Sequence, residues 1–289
     1  MKKPNLFIVG APKCGTTALY TYLREHPQIF MSPLKEPQFF ARDFLGDRRR
    51  IRGLQEYLAC FAEVRDEEVI GEASTAYFAS ELAPREIKAF APHARIIIML
   101  RNPVDKMCSR FAEASFHNQE HHVSFEAALR AEQSDGPSFG LGYRESARYA
   151  NKVRRYLTTF GRESVHVIIY DDFKEHTSKI YQETLRFLGV RPDSRSDFPV
   201  FNNNKYVRSM ALQEFVRYPP DILRQFGRIA MPRAMRKGLR DWFSRLNVVC
   251  APRPSLDPDL RRQLQREFQD DVEELGNLIG RDLSGWSNR

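Results

Sequence analysis

Apolar residues follow two rhythms along this chain. Leu6 to Val9 and Ile96 to Leu100 are unbroken apolar runs, and VHVIIY (165–170) is nearly so. Runs of this kind predict strands covered on both faces, because a half-exposed strand would alternate. A shorter run opens VIGEASTAYF (69–78) and breaks at Gly71. Elsewhere the spacing is three and four, which predicts helices. Leu19, Tyr22 and Leu23 follow the first run and stop before Pro27; Val104, Met107, Cys108 and Phe111 follow Pro103, a residue suited to a first helical turn. Tyr149, Val153, Tyr156 and Leu157 mark another helix, and Tyr181, Leu185 and Leu188 one that ends at Gly189. From about Asp259, Leu260, Leu264, Phe268, Val272, Leu275 and Ile279 share one side of a last helix. Strands alternating with helices predict an α/β fold, a central parallel sheet with helices on both faces.

Between these elements lie a Pro-punctuated loop (Met31 to Phe44) and a Gly/Pro/Ser-rich loop (Gly136 to Gly142). From Phe201 the pattern changes. FNNNKYVRS reads as a polar, basic loop, and Pro219 to Val249 as short basic helices carrying Phe226, Met231, Met235, Trp242 and Phe243. This is the pattern of a lid or substrate-facing cap, with a helix lying on a membrane surface as the open alternative. The chain is thus read as one domain, 1–289, with residues 205–254 as a basic helical cap within it.

Charge reinforces that division. The net charge of +8 is matched by residues 205–254 alone, with eleven basic against three acidic residues. Such a concentration points to an anionic partner: a nucleotide, an acidic glycan, a lipid head group or nucleic acid. The four cysteines are scattered without a C-x-x-C, so neither a disulfide framework nor a zinc site is expected. His117 and His121 stand one helical turn apart, but no further ligands stand out and a solvated loop is the expectation. With no signal-peptide core and no stretch of ~18 apolar residues, the expected compartment is cytoplasmic.

The candidate chemistry gathers at the ends of the predicted strands. NLFIVGAPKCGTTALYTYL (5–23) runs from a strand through a glycine-bounded turn into a helix start, leaving unpaired N–H groups aimed at one point. Gly10 and Gly15 have the spacing of the P-loop G-x-x-x-x-G-K-[ST], and Thr17 sits at its hydroxyl position. Thr16 replaces the lysine, which has moved to Lys13, and this argues for a shorter anhydride held differently. The second strand ends in Arg101, where a Mg²⁺ enzyme usually carries an aspartate, so the expected site holds an anion without metal. Glu36 lies between Lys35 and Pro37 before Phe39 and Phe40, which fits a general base or a surface ion pair over packed aromatics. Glu72, Ser74 and Tyr77 fit a strand end facing the same cleft, or Ser74 a helix cap.

In this order and spacing the chain resembles the sulfotransferases that use 3′-phosphoadenosine 5′-phosphosulfate (PAPS), more closely the heparan-sulfate and bacterial branch than the small-phenol branch. GAPKCGTTALYTYLREHP is similar to the family's 5′-phosphosulfate loop, and RNPVDKMCSRF to its 3′-phosphate motif, with Arg101 and Ser109 eight residues apart. KEPQFF resembles the segment that carries the catalytic glutamate, here Glu36; GEASTAYF and GRDLSGW are weaker matches. The resemblance implies in-line sulfuryl transfer without metal from PAPS to a hydroxyl or amine of a glycan, lipid or small metabolite. Glu36 and Lys13 would be catalytic. Lys13, Cys14, Gly15, Thr16 and Thr17 would hold the 5′-phosphosulfate, and Arg101 and Ser109 the 3′-phosphate. The family's Lys-Gly-Arg loop over the nucleotide has no clear counterpart; Arg208 or Arg253 would stand in. Ala73 replaces a lysine common in glycan sulfotransferases.

The partners expected are PAPS and an acceptor, anionic if the basic segment meets it, with no nucleic acid. Peripheral membrane contact and oligomeric state stay open. Two other functions fit parts of the pattern: a small-molecule kinase using Mg-ATP, and a non-catalytic PAPS- or membrane-binding protein.

Overall fold

A computed structural model describes residues 2–117, 119–120, 122, 124–136, 142–199, 205–207, 248–250 and 256–287. The chain divides into two compact units, one formed by residues 1–106, 146–201 and 258–289, the other by 107–145 and 202–257.

The first unit is built on five strands: β1 (Leu6–Gly10), β2 (Ile29–Met31), β3 (Val69–Ala73), β4 (Arg95–Leu100) and β5 (Val165–Ile169). They pair in the order β2-β3-β1-β4-β5, every neighbour parallel. Leu6, Phe7, Ile8 and Val9 are fully buried, as expected for a central strand covered on both faces. The helices of the unit are α1 (Thr16–Arg24), α2 (Arg42–Leu45), α3 (Leu54–Ala59), α4 (Ala83–Phe90) and the start of α5 (Pro103–Phe116). After α6 (Phe125–Asp135) and α7 (Tyr143–Ala147) come α8 (Ala150–Phe160), α9 (Tyr170–Glu175), α10 (Thr177–Leu188), α11 (Pro258–Glu267) and α12 (Gln269–Ile279). The α/β architecture with a central parallel sheet is therefore as the hydrophobic pattern predicts.

Parallel pairing puts the C-terminal ends of all five strands on one edge. From β1 the chain goes to the edge strand β2 and comes back to fill in β3 between them, then crosses to β4 and β5 on the other side. The order therefore reverses between β1 and β4, and ligands of open α/β sheets bind in the crevice at such a point.

Three elements differ from the pattern. β2 is only three residues long and is not predicted by the pattern; its last residue, Met31, opens the stretch read as loop, but Ile29 and Met31 are buried against β3. The last apolar stripe is two helices, α11 and α12, broken at Phe268. Spacing reports which way side chains point, and Phe268 stays buried across the break, so the stripe continues where the helix does not. Lys205–Val207 is a strand, β6, paired antiparallel with β7 (Val248–Cys250) and not a plain loop.

In the second unit Ser124 caps α6, its hydroxyl accepting from the Ala127 N–H at 3.2 Å. Phe125 meets both Phe111 and Tyr143, with ring centroids 5.6 and 5.7 Å apart. Glu120, in the segment expected to be a solvated loop, is buried: it accepts from the His122 N–H at 3.0 Å and from the Tyr143 hydroxyl. Arg208, Arg253, His121 and most of the 205–254 segment lie outside the described residues. Among the described residues no helix is long and apolar enough to cross a membrane.

Candidate functional site

The turn after β1 has the local structure its residues require. Lys13 and Gly15 both take left-handed backbone, φ 69° and 92°. Gly15 has no alternative: a Cβ there would lie 3.0 Å from the Tyr170 ring and 3.3 Å from the Met99 methyl. α1 then starts without a side-chain cap; the Ala18 N–H donates to the Gly15 carbonyl at 3.0 Å, and the Thr16 and Thr17 N–H groups before it are left to solvent or to a ligand. Cys14 is fully buried and burial pushes its thiol up to about 11, against the opposing pull of Lys106 and Arg101. The thiol stays protonated, and only the Cys14 backbone is placed to meet an anion. Thr16 is buried and Thr17 half-buried at the helix start, with Lys13 half-buried in the turn itself.

Arg101 leaves the end of β4, across the switch point from this turn. Its guanidinium lies over the Tyr170 ring at 4.6 Å, the same ring that crowds Gly15. The Tyr149 hydroxyl donates to its carbonyl at 2.9 Å. Among the described residues its Nε is buried without a hydrogen-bond partner. A buried, unpaired guanidinium donor is costly unless a ligand supplies the acceptor. Lys106 is fully buried and donates to the Ser146 carbonyl, adding a second cation near Cys14. Uncapped N–H groups, a turn with no room for a side chain and an unsatisfied arginine together fit a phosphate-like anion.

Ser109 sits on α5 in the second unit and is buried, not the exposed helix serine its place off the apolar stripe suggests.

The other half of the edge is made by the ends of β2 and β3. Glu36 takes left-handed backbone, φ 60°, and so does Gln38, φ 62°. Non-glycine residues hold such angles only where surrounding bonds impose them, at roughly 1–3 kcal/mol each. Those bonds are present. The Glu36 N–H donates to the Ala73 carbonyl at 2.9 Å, and the Glu36 carboxylate accepts from the Thr75 N–H at 2.8 Å and its hydroxyl at 3.1 Å. Lys35 pairs with it at 3.0 Å, and Phe39 and Phe40 meet edge to face at 4.9 Å. Ion pair and aromatic packing both exist, but the aim of Glu36 is set by Thr75.

Glu72 does not face a cleft. It is fully buried and accepts from Tyr57 at 2.7 Å, Tyr77 at 2.8 Å and Ser74 at 2.7 Å. Burial raises its acid to about 7, against the pull of these three hydroxyls. Ser74 is not a helix cap; its hydroxyl accepts from the Gln38 N–H at 3.0 Å instead.

The structure thus gathers the Lys13–Thr17 turn, Arg101 and Glu36 in one unit, on strand ends of one edge. Tyr170, Thr75 and Lys106 belong to this arrangement and were not expected. Each follows a motif or run closely (the tyrosine ending VHVIIY, the threonine after GEAS, the lysine after NPVD), and that adjacency was the available signal. Among the described residues no group of three or more His, Cys, Asp or Glu side chains gathers as a metal site would.

A family model described as a sulfotransferase domain matches residues 3–277. The chain belongs to the sulfotransferase family. This sulfotransferase is similar to one from Alicyclobacillus acidocaldarius over 100% of both chains, at 30% identity and a TM-score of 0.74. Bifunctional heparan sulfate N-deacetylase/N-sulfotransferase 1 of Caenorhabditis briggsae is 25% identical over 214 residues, 71% of this chain and 24% of its own length. Carbohydrate sulfotransferase 15 of Mus musculus is 26% identical over 247 residues, 65% of this chain and 44% of its own. The chain spans less than half the length of these curated relatives. The resemblance to the heparan-sulfate and bacterial branch holds, and the Mg-ATP kinase is not favoured.

Proposed function

We propose that this sulfotransferase moves a sulfuryl group from PAPS to a hydroxyl or amine of a glycan, and that residues 1–289 act as one sulfotransferase domain. The observation that carries the donor is Arg101: a buried guanidinium nitrogen, unpartnered among the described residues, at the switch point, where a Mg²⁺ enzyme would hold a carboxylate. The glycan class is supported by the named activities of the carbohydrate-modifying relatives.

PAPS supplies the sulfuryl group, whose S–O bond to the 5′-phosphate breaks as a bond to the acceptor oxygen or nitrogen forms. The N–H groups of Cys14 and Gly15 and the hydroxyls of Thr16 and Thr17 hold the 5′-phosphate. Lys13 neutralises the charge that grows on the departing phosphate oxygen. Arg101 and Ser109 hold the 3′-phosphate, which ATP lacks. Glu36 takes the acceptor proton, its carboxylate fixed by Thr75 so that little reorientation is needed at the moment of transfer.

Turnover with PAPS against Mg-ATP, using N-desulfated heparan sulfate as acceptor, tests the reading. Transfer from PAPS alone is expected. Phosphoryl transfer from Mg-ATP would overturn the donor, and transfer only to a lipid or small phenol would overturn the acceptor class.

A further inference from the structure

We propose that Glu72, which touches neither donor nor acceptor, is the positioning residue for Glu36, acting through Ser74 on the backbone of residues 36–38. This rests on the reading of Glu36 as the base.

Two short segments face each other, 36–38 and 73–75, and four hydrogen bonds join them. Three involve Glu36 itself, to Ala73 and Thr75; the fourth runs from the Gln38 N–H to the Ser74 hydroxyl. The fourth bond depends on where the Ser74 proton points. Ser74 donates that proton to Glu72 Oε2, leaving its lone pairs to receive Gln38. Glu72 Oε1 is meanwhile occupied by the hydroxyls of Tyr57 and Tyr77, both donating, so the carboxylate faces three donors and no cation among the groups bonded to it. Such a hub orients Ser74 only while it acts as an acceptor. A proton on Oε2, or an amide in place of that oxygen, turns a donor toward Ser74 and reverses the bond. Ser74 then spends one of its two lone pairs on residue 72 and must turn its own proton elsewhere, so the lone pair that meets the Gln38 N–H is no longer held on it, and the positive-φ backbone at Gln38, with Glu36 two residues before it, is held less firmly.

The titratable groups around Glu72 are Tyr57 and Cys60 in and after α3, Tyr77, Tyr156 on α8, and Glu36. The tyrosines Tyr57, Tyr77 and Tyr156 are pushed well above the ordinary range by burial, and Cys60 is raised by burial too. None of these four titrates ahead of Glu72 as pH rises. With the Glu72 acid near 7, the Ser74 orientation is complete above that pH and lost below it.

The test compares Glu72→Gln, Ser74→Ala and Glu36→Gln in the full chain by two readouts. The first needs no acceptor: amide hydrogen exchange at Gln38. Exchange at Gln38 is expected to speed up in Glu72→Gln and Ser74→Ala while amides in β1 stay protected. The second is turnover of PAPS with N-desulfated heparan sulfate. There kcat falls between about 10- and 100-fold in Glu72→Gln and in Ser74→Ala, because a catalytic group displaced by about an ångström loses this much. KM for PAPS and the affinity for adenosine 3′,5′-bisphosphate stay near wild type. The fall in kcat below pH 7 flattens in Glu72→Gln. The double variant Glu72→Gln/Ser74→Ala is no worse than either of its single variants. Should Glu72→Gln not fold, Ser74→Ala carries the same expectation. Unchanged Gln38 exchange, or wild-type kcat and pH profile with only a lower melting temperature, would overturn the proposal. If Glu36→Gln keeps wild-type turnover, the reading of the base fails and this inference with it.

Discussion

The two halves of the sheet edge use opposite designs. At the ends of β1 and β4, among the described residues, donors stand without acceptors: an uncapped helix start and a buried arginine nitrogen without a partner, with buried Lys106 behind them. At the ends of β2 and β3 the polar groups satisfy one another, and Glu36 and Glu72 each accept several hydrogen bonds. The first half is incomplete by itself and gains most from an anion. The second is complete, and its strain lies in backbone angles at Glu36 and Gln38. A binding site can leave its bonds unmade until the ligand arrives, whereas a base must be aimed before it does.

The comparison predicts graded effects. The largest falls on charge at the reacting atoms: Lys13→Ala and Glu36→Gln each lower kcat by ~10²–10³, measured by steady-state turnover. They differ in binding, since calorimetry with adenosine 3′,5′-bisphosphate should detect Lys13→Ala and be blind to Glu36→Gln. If both weaken nucleotide binding equally, the two halves are not separate in function.

Next is Arg101→Ala, which removes a charged donor to the nucleotide and weakens its binding by about 1.5–3 kcal/mol, roughly 10- to 100-fold. The same calorimetry measures it, and unchanged affinity would mean that another group meets the unpaired Nε. Gly15→Ala follows. It forces a side chain into left-handed backbone against Tyr170, at roughly 1–3 kcal/mol of stability, read from urea unfolding.

The smallest effect is Tyr57→Phe, and it distinguishes the complete half. The folded Glu72 acid lies near 7, above its ordinary 4.5, so its ionisation costs stability as pH rises through that window. Losing one hydroxyl donor makes the charged form worse still. Tyr57→Phe should therefore destabilise by about 1 kcal/mol at pH 6 and about 2 kcal/mol at pH 8, by urea unfolding. A loss that shrinks with pH would mean that Glu72 is not charged there.

The amino-acid sequence by itself determined the parallel sheet core, because strands buried on both faces must be apolar throughout, and Leu6–Val9 and Ile96–Leu100 are. It also determined the turn at Gly10–Gly15 and the arginine after β4, since anion chemistry there is carried by residue types at short, local spacing. For Glu36 the residues left a general base and a surface ion pair both open, and the role proposed for it, like that proposed for Ser109, rests on the family resemblance. A glutamate beside a lysine and a serine on a helix carry no local signal of their own.

Tertiary structure decided the rest. Three-residue β2 is too short to announce itself, and its apolar residues count only because β3 lies beside them. The break at Phe268 is invisible to a stripe that follows side chains and not backbone bonds. Above all, Glu72 looks from its motif like a residue facing a cleft. Its actual surroundings are hydroxyls from Tyr57 on α3, Tyr77 and Ser74, and its influence reaches Gln38 through one shared proton. Such a hub exists only when residues distant along the chain converge. The charge state of a buried carboxylate depends on those neighbours and on lost solvent, neither of which spacing along the sequence records.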